Sequence, residues 1–421
     1  REEVARQNPQ WGGERLGPVY EKRRSLFDQL WEQRRVKLMI YLTGPRRSGK
    51  SVLLKQIANT LLDKGETKPT QILWYEFEPG QTKTEIKRVF DYWWQEVADS
   101  RENAYVFFDE VQYARGYEVV LKQLYDLYEG KVKFFLTGSL SLWYKRRIEE
   151  SMAGRYLPYR LFPLSFTEYL ELGQMKELAD YQQMISEENV VVKSVLCGKL
   201  VPVFRYFLKA GRFPEMIHLP VEAHGLYLET LVNGALNQDA FGYFDIRRPA
   251  ELVNLYEYLR VNSGGEISVA KLARGATAKT IANYLRILEA MGLVYFVYNS
   301  TDPLVRTNVS RKVYTNSAFF LQRTKLDPAS AAGLAVEAYV LERLLERGED
   351  VVTFWRERNN EVDFVLPRKK VAFEVKFRAG VGDDVNILRQ FGRLKGFRLT
   401  VATMGKWASE EGVEFIPALA F

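Results

Sequence analysis

An octapeptide near the start of the chain constrains the fold more than any other feature. Residues 44–51 read Gly-Pro-Arg-Arg-Ser-Gly-Lys-Ser and fit the pattern G-x-x-x-x-G-K-[ST]. They lie between the strand-like apolar run 36–42 and the helical pattern 51–62. The glycines let backbone N–H groups face a phosphate, and the start of the following helix adds positive potential. The chain is therefore expected to contain an α/β domain with a phosphate-binding loop.

The polar side chains of this loop have distinct expected roles. Lys50 would reach the β- and γ-phosphates of ATP, and the Ser51 hydroxyl would ligate Mg²⁺. The loop backbone would surround the remaining phosphate oxygens. The full set expected to bind ATP is Gly44, Pro45, Arg46, Arg47, Ser48, Gly49, Lys50, Ser51 and Val52.

A buried strand that ends in two acids supplies the second half of such a site. Residues 105–110 read Tyr-Val-Phe-Phe-Asp-Glu. Asp109 would hold Mg²⁺ through water, and Glu110 would polarise the water that attacks the γ-phosphate. The pair of acids favours hydrolysis over simple retention of the nucleotide. We therefore predict an ATPase with Lys50 and Glu110 among its catalytic residues.

The rest of the chain divides into regions of different pattern. Strand-like runs at 71–77, 104–108 and 132–136 alternate with helical patterns, which predicts a parallel sheet covered by helices. Around Pro163 the pattern becomes mostly helical, and Pro249 opens another pattern. The predicted domains are an N-terminal helical arm (1–35), the ATPase core (36–164), a helical lid (165–248), a winged helix (249–320) and a C-terminal domain (321–421).

Composition excludes several kinds of site and permits others. With one cysteine, Cys197, and two histidines, the chain has too few ligands for a disulfide framework, a thiolate cluster or a multi-histidine zinc site. Any metal is expected to be a hard cation bound by carboxylates. A net charge of +7, from 60 basic and 53 acidic residues, permits nucleic-acid binding without demonstrating it. No stretch approaches the ~18 apolar residues of a membrane span, so a soluble, cytoplasmic protein is expected.

Three helical patterns followed by two strands suit a winged helix. The helices are expected at 252–261, 267–274 and 277–291, and the strands at 293–298 and 312–315. The basic residues in this region are Lys271, Arg274, Lys279 and Arg286 on the helices, and Arg306, Arg311 and Lys312 on the wing. The third helix would enter the major groove of DNA, and the wing would contact phosphates. The alternative is a winged helix that serves only in packing between domains.

Residues 361–376 can be arranged as a hairpin with an acidic face. The expected partners across its two strands are Leu366 and Val371, Phe364 and Phe373, Asp363 and Glu374, and Glu361 and Lys376. Two carboxylates side by side repel, which favours a cation between Asp363 and Glu374. Lys376 would stabilise a developing anion or position a water. The hairpin is therefore a possible second metal site.

Several of these segments resemble prokaryotic ATP-binding proteins that have an AAA+-type core and a C-terminal domain long labelled as of unknown function. The similar segments are 44–51, 107–110, 134–139 (Phe-Phe-Leu-Thr-Gly-Ser), 153–155 (Ala-Gly-Arg) and 161–166 (Leu-Phe-Pro-Leu-Ser-Phe), and the resemblance extends to about residue 380. It implies that Thr137 or Ser139 is the polar sensor at the end of the fourth strand. It also implies that Arg155 senses the γ-phosphate, with Arg160 as the weaker choice. A surface salt bridge explains Arg155 equally well.

The pattern formed by Asp363, Glu374 and Lys376 resembles the PD-(D/E)xK nuclease fold of restriction endonucleases and Holliday-junction resolvases. The resemblance implies that Glu337, on a helix ahead of the hairpin, is the upstream acid of that fold. It implies that Gln390 is the polar residue of the helix that follows. Three interpretations stay open: an active nuclease, an inactive nuclease-like domain, and an unrelated hairpin with charge pairs on its surface.

The expected architecture is α/β: a P-loop, AAA+-type parallel-sheet core with a helical lid, a winged helix and a restriction-endonuclease-like C-terminal domain. The expected function is Mg²⁺-dependent hydrolysis of ATP to ADP, with DNA as the partner of the winged helix and a homo-oligomer possible. Two alternatives remain. One is a nucleotide-gated regulatory module that binds a protein partner, and the other is a DNA endonuclease regulated by ATP.

Overall fold

The computed structural model consists of two compact units. The first comprises Arg1–Phe162 and Gln238–Ile246, and the second comprises Pro163–Asn237 and Arg247–Phe421. The described residues are 1–18, 20–99, 103–138, 152–210, 212–244, 246–273, 277–300, 311–320, 327–348, 351–377 and 383–421. Ser139, Arg274 and Arg306, which the sequence analysis singles out, lie outside these ranges.

A parallel sheet forms the centre of the first unit. Its strands are β1 (Met39–Thr43), β2 (Ile72–Glu76), β3 (Ala104–Asp109), β4 (Val132–Gly138) and β5 (Tyr156–Arg160). They lie in the order β2-β3-β4-β1-β5, and each neighbouring pair is parallel. Strand β1 is flanked by β4 and β5, so the loop that follows β1 leaves from the interior of the sheet's carboxyl edge. In open α/β sheets this edge is where ligands bind.

Helices cover both faces of this sheet. The α-helices among the described residues before 163 are α1 (Glu2–Arg6), α2 (Leu26–Glu32), α3 (Lys50–Asp63), α4 (Lys83–Glu96) and α5 (Tyr117–Tyr128). Side chains alternate along β1, because Ile40 and Leu42 pack in the core that includes α3, whereas Tyr41 packs in the core that includes α4 and α5. Trp93 on α4 is completely buried. This side chain therefore serves in packing.

The N-terminal segment covers the edge of the sheet at β2. Asn8 Nδ2 donates to the carbonyl oxygen of Trp74 at 2.8 Å, and the Trp74 N–H donates to Asn8 Oδ1 at 2.7 Å. The side chains of Gln10 and Trp11 both donate to the carbonyl oxygen of Ile72. These side chains satisfy backbone groups that a further strand would otherwise pair with, so the edge is protected from unwanted pairing.

In its described residues, the second unit combines a helical region with a sheet of nine strands. The helices after residue 163 are α6 (Phe166–Leu172), α7 (Glu177–Ser186), α8 (Val190–Ala210), α9 (Val221–Gly234), α10 (Ala240–Tyr243, within the first unit), α11 (Pro249–Val261), α12 (Val269–Leu272), α13 (Ala278–Ala290), α14 (Ser317–Phe320), α15 (Pro328–Glu346) and α16 (Asp383–Lys395). Among all the helices that the structure describes, none is long and apolar enough to cross a bilayer.

One continuous sheet joins the strands of the two C-terminal regions. Its strands are β6 (Glu266–Ile267), β7 (Val294–Asn299), β8 (Arg311–Thr315), β9 (Thr353–Glu357), β10 (Asn360–Leu366), β11 (Val371–Lys376), β12 (Arg398–Thr403), β13 (Ala408–Glu410) and β14 (Val413–Pro417), in the order β13-β14-β12-β11-β10-β9-β7-β8-β6. Strand β8 pairs antiparallel with β6 and β7, while β7 pairs in parallel with β9. Backbone hydrogen bonds therefore connect the regions 249–320 and 321–421.

Most strands of the first unit occur where periodicity predicts them. The runs 36–42, 71–77, 104–108 and 132–136 correspond to β1–β4 within a few residues, which confirms them. Strand β5 is missing from the sequence prediction. Its residues are half-buried or exposed and include Pro158, so they show neither an apolar run nor an alternating pattern.

Candidate functional site

The phosphate-binding loop leaves the carboxyl end of β1 and enters α3. Gly44 has a φ of +153°, and a Cβ at this position would lie 2.3 Å from the carbonyl oxygen of Leu161. Gly49 has a φ of +97° and immediately precedes α3. These two positions require glycine, because a side chain would either clash or strain the backbone. The loop can therefore present the N-terminus of α3 to a ligand.

Lys50 begins α3 and points back over the loop. Its Nζ donates to the carbonyl oxygens of Gly44 and Pro45, each at 3.1 Å, and lies 3.7 Å from Oε1 of Glu110. Only 3% of the lysine side chain is exposed. The ammonium group thus lies between the loop and the acids at the end of β3, where it can bind phosphate oxygens.

Thr137 connects the two acids to β4. Its Oγ1 donates to Asp109 Oδ1 and accepts from the backbone N–H of Glu110 at 2.9 Å. Burial raises the pKa of Asp109 above its usual range and the charge of Glu110 adds to the increase, while hydrogen bonds from Ser51 and Thr137 oppose it. Thr137 therefore orients both acids from the position that the resemblance assigns to the polar sensor.

Glu110 lies just beyond β3 in a left-handed backbone conformation, with a φ of +50°. Such a conformation costs a residue with a side chain about 1–2 kcal/mol, and strain of this kind is common at functional sites. Oε2 of Glu110 accepts a hydrogen bond from Nε2 of Gln112, which is itself buried. The backbone and Gln112 together hold the Glu110 carboxylate beside Lys50.

Another acid, Asp239, lies beside the loop although no sequence motif marks it. It belongs to the segment Gln238–Ile246, which is part of the first unit. Oδ2 of Asp239 is 3.0 Å from Nε of Arg46, and Oδ1 accepts from the Tyr113 hydroxyl at 3.2 Å. Nη2 of Arg46 donates to the same hydroxyl at 2.8 Å. Burial raises the pKa of Asp239 to about 6, and the charge of Arg46 opposes this increase.

Two buried polar atoms of this site have no hydrogen-bond partner within the described ranges, namely Ser48 Oγ and Asp109 Oδ2. Buried polar atoms are nearly always satisfied, so both suit contact with a bound ligand. The carboxylate of Asp109 and the hydroxyl of Ser51 are hard oxygen donors of the kind that Mg²⁺ takes. Ser48 and the loop N–H groups suit phosphate oxygens. The residues present therefore fit Mg²⁺ with a nucleoside triphosphate.

Comparison with known families agrees with this geometry. Residues 36–170 match the family model of an AAA domain. The matched segment contains the loop, both acids and Thr137, and it supports a nucleotide-binding, ATPase-like function for this part of the chain. Residues 202–324 match a second model, which is described as a domain of unknown function (DUF8612).

Similar sequences occur in bacteria and archaea. An uncharacterized protein of Haemophilus influenzae is 24% identical over 84% of this chain and 87% of its own length. Two uncharacterized proteins of Methanocaldococcus jannaschii, MJ1544 and MJ1637, are each 26% identical, over 62% and 64% of this chain. These alignments span 58% and 59% of the archaeal proteins, less than two thirds of their length.

Two solved structures are weakly similar. AMPPCP-bound DnaA from Aquifex aeolicus is 15% identical, with a TM-score of 0.25, over 65% of this chain and 90% of DnaA. PCH-2 of C. elegans is 16% identical, with a TM-score of 0.28, over 48% of this chain and 65% of PCH-2. Scores this low carry no information about function.

The two arginines that the resemblance assigns to the γ-phosphate lie at opposite ends of β5. Arg155 precedes β5, where its carbonyl accepts the N–H of Met39, and its side chain forms an ion pair with Asp126 at 2.7 Å. The length of β1, about 16 Å, separates this end from the loop. Within one chain Arg155 is therefore not brought to the phosphate, and the salt-bridge alternative describes it. Arg160, at the other end of β5, lies opposite Thr43 of β1 in the strand register, and Thr43 directly precedes the loop.

The hairpin expected at 361–376 forms as β10 and β11. The observed pairs include Phe364 with Phe373 and Leu366 with Val371, which confirms the expected register there. Beside Asp363, however, β10 is irregular in its pairing with β9. Oδ2 of Asp363 accepts the backbone N–H of Val375 at 3.0 Å. This bond turns the Asp363 carboxylate toward the backbone of β11.

A lysine from β8 lies among the acids of the second unit. Lys312 is buried, and its Nζ forms an ion pair with Glu361 and lies 3.5 Å from Oδ1 of Asp363. Burial lowers the pKa of Lys312, but the surrounding carboxylates outweigh this effect and raise it above its usual value. Lys312 is therefore a charged partner of the acids. The expectation that it contacts DNA phosphates from an exposed wing is wrong, because Lys312 is buried and its ammonium group is paired with these carboxylates.

The remaining residues of the nuclease pattern are only partly brought together. Burial and the charge of Asp363 raise the pKa of Glu337 on α15. Nζ of Lys376 lies 3.0 Å from Oε1 of Glu374, two residues earlier on β11. Gln390 is exposed on α16. In the part of the chain that the structure describes, no three His, Cys, Asp or Glu side chains are arranged to hold a metal ion.

The basic residues between 249 and 320 differ in their availability to a ligand. Lys271 on α12 and Lys279 on α13 are exposed, and Arg286 on α13 is half-buried. Arg311 on β8 is buried, with its guanidinium 4.4 Å from the centre of the Phe296 ring. The charges on α12 and α13 can therefore meet a polyanion, whereas the charge of Arg311 is enclosed in the unit and cannot contact phosphate.

Proposed function

We propose that the protein is a Mg²⁺-dependent ATPase that acts on DNA or is regulated by it. One observation carries the ATPase assignment. Lys50 Nζ lies 3.7 Å from the Glu110 carboxylate, and Thr137 bonds both Asp109 and the backbone of Glu110. A loop cation, a metal-binding acid and a base for water are thereby collected at one edge of the sheet, which is what phosphoryl transfer to water requires.

In this proposal the residues share the tasks of an in-line attack of water on the γ-phosphate. The loop N–H groups and Lys50 bind phosphate oxygens and stabilise the charge that develops. Ser51 and Asp109 would hold Mg²⁺, which supplies further positive charge to the phosphates. Glu110 accepts a hydrogen bond from the attacking water and orients it. Thr137 keeps both acids in position.

The proposed DNA partner depends on the region from α11 to β8. The order α11-β6-α12-α13-β7-β8, with β8 between β6 and β7 in an antiparallel arrangement, supports the winged-helix interpretation. Helix α13 would enter the major groove and present Lys279 and Arg286 to the duplex. The alternative function, a nucleotide-gated module for a protein partner, uses the same ATP site without a DNA requirement.

ATP turnover measured with and without duplex DNA tests the proposal. We expect DNA to stimulate ATP turnover by the wild type. Lys50→Ala should abolish ATP turnover with or without DNA, because the bound phosphates lose their main countercharge. Lys279→Glu combined with Arg286→Glu should retain basal turnover and lose the stimulation. The slope of log K for DNA against log salt should shrink by about one unit for each lost phosphate contact.

Lys122→Glu combined with Lys131→Glu is a matched control, because it reverses two exposed charges of the first unit. This control should respond to DNA as the wild type does. If wild-type protein is not retained on duplex DNA at low salt, the DNA part of the proposal is wrong and the protein-partner function is favoured. If no ATP is hydrolysed under any condition, the ATPase assignment fails.

We further propose that the nuclease-like region binds DNA without cutting it. The order α15-β9-β10-β11-α16-β12, with an antiparallel β9–β11 meander and β12 parallel to β11, supports a nuclease-like fold. Yet both oxygens of Asp363 are engaged within the protein, one by Lys312 at 3.5 Å and one by the N–H of Val375. A divalent cation at Asp363 would have to displace a buried ammonium group, which is costly.

Plasmid and branched DNA incubated with the protein and Mg²⁺ or Mn²⁺ should therefore remain intact. The Lys312 ammonium already pairs with Glu361 and Asp363, so added metal gains little at this position. The assay is quantified on gels against buffer and Asp363→Ala. Cutting by the wild type that disappears in Asp363→Ala, with unchanged ATP turnover, would instead establish an endonuclease regulated by ATP.

A further inference from the structure

Arg46, Tyr113 and Asp239 form a closed triangle in the first unit. The Arg46 guanidinium contacts Asp239 Oδ2 at 3.0 Å and the Tyr113 hydroxyl at 2.8 Å, and that hydroxyl donates to Asp239 Oδ1 at 3.2 Å. The Asp239 side chain is only 3% exposed, whereas that of Arg46 is 35% exposed. The acid is thus fixed in the protein, and the arginine remains accessible from solvent.

The triangle lies at the end of the site where the γ-phosphate would be bound. Arg46 is inside the phosphate-binding loop, and Tyr113 ends the one-turn helix Val111–Tyr113 that follows Glu110. The charge of Glu110 reaches both other members, since it contributes to raising the pKa of Arg46 and that of Asp239. The Arg46 guanidinium thus contacts Asp239 and interacts electrostatically with Glu110, the residue proposed to orient the attacking water. It is therefore close to the position where hydrolysis would occur.

A triphosphate would compete with Asp239 for this guanidinium. Phosphate oxygens and a carboxylate both form charge-assisted, often bidentate pairs with arginine, so each can replace the other. A γ-phosphate would also repel a buried carboxylate next to it. ADP lacks that phosphate and brings no competitor to this end of the site. The two nucleotides should therefore have opposite effects on the ion pair.

We propose that Arg46 is a γ-phosphate-binding residue that Asp239 occupies in the nucleotide-free protein, and that ATP, but not ADP, takes Arg46 from Asp239. This inference rests on the proposed function of the same site. When the ion pair breaks, the segment Gln238–Ile246 loses this polar contact with the loop. The chain on both sides of this segment, up to Asn237 and from Arg247 onward, belongs to the second unit. Release of Arg46 from Asp239 would therefore affect a segment that is covalently continuous with the second unit, and it would do so only when a γ-phosphate is bound.

Binding of AMP-PCP and of ADP, measured by isothermal titration calorimetry, tests the exchange. Asp239→Asn keeps the shape of the side chain and removes its charge. It should tighten AMP-PCP binding by about tenfold and change ADP binding far less. Arg46→Gln should weaken AMP-PCP binding selectively, and in Arg46→Gln the further change Asp239→Asn should tighten AMP-PCP binding less than it does in the wild type, because no guanidinium is left to release. Asp63→Asn, which removes an acid paired with Arg15 on the surface of the same unit, is the control.

Hydrogen exchange of the wild type provides a readout that needs no variant. The amides of 238–246 should exchange faster with AMP-PCP than without nucleotide, and ADP should leave them unchanged. Equal effects of Asp239→Asn on both nucleotides, or exchange in 238–246 that does not distinguish AMP-PCP from ADP, would overturn the inference while the ATPase proposal stands. Wild-type protein that binds neither nucleotide would overturn both.

Discussion

Glu110→Gln is expected to bind ATP at least as tightly as the wild type and to hydrolyse it about 10²- to 10⁴-fold more slowly, which is the usual contribution of a general base. The amide has nearly the shape of the carboxylate but accepts a hydrogen bond from the attacking water much less well. Binding should persist because the loop and Lys50 hold the phosphates. Loss of the negative charge 3.7 Å from Lys50 should even favour binding of the anionic nucleotide. Single-turnover hydrolysis and equilibrium binding measure the two effects separately.

Glu129→Gln provides a matched control for this variant. Glu129 follows α5 and is exposed, so the same chemical change there should leave turnover at the wild-type rate. Hydrolysis by Glu110→Gln at the wild-type rate would remove Glu110 from the catalytic role. Loss of ATP binding in Glu110→Gln would also contradict the assignment, since it would mean that the carboxylate shapes the pocket instead of acting on water.

The first unit could be predicted from sequence because its site is built from local patterns. The loop motif requires a strand before it and a helix after it, and Gly44 and Gly49 stand where the backbone needs them. Buried parallel strands are recognisable as apolar runs, as Phe107 and Phe108 illustrate. The β10–β11 register was also predictable away from Asp363, because the length of the turn determines which residues pair.

The remaining site residues depend on tertiary packing that no local pattern encodes. Asp239 reaches Arg46 only because its segment packs within the first unit. The position of Arg155 before β5, at the end of the strand away from the loop, also follows from the strand pairing and not from a local motif. Lys312 did carry one signal, since it lies in a strand whose residues are all buried. A lysine in such a strand needs an acidic partner, but the sequence does not identify which acid that is.

Arg212 is a similar case, because the segment 211–214, Gly-Arg-Phe-Pro, carries no motif that explains it. In the second unit its guanidinium forms an ion pair with Glu342 and contacts the Ser317 hydroxyl, and both charged side chains are fully buried. Nε of Arg212 donates to the carbonyl oxygen of Leu164 at 2.9 Å. Glu342 in turn accepts the backbone N–H of Ser317 at 2.8 Å. The pair thus links α15 to the chain preceding α6 and to the start of α14.

Arg212→Met is expected to destabilise the second unit by about 3–5 kcal/mol, because it leaves the Glu342 carboxylate buried without its partner. Native-state hydrogen exchange at the amides of α15 measures this loss without interference from the first unit. These amides should exchange about 10²- to 10⁴-fold faster if they open with the unit.

Arg248→Met removes an arginine from an exposed ion pair with Glu251 and should leave exchange unchanged. The double change Arg212→Met/Glu342→Met should cost less than the single one, since no buried charge then lacks a partner. Equal exchange rates in Arg212→Met and Arg248→Met would mean that the buried pair contributes no net stability.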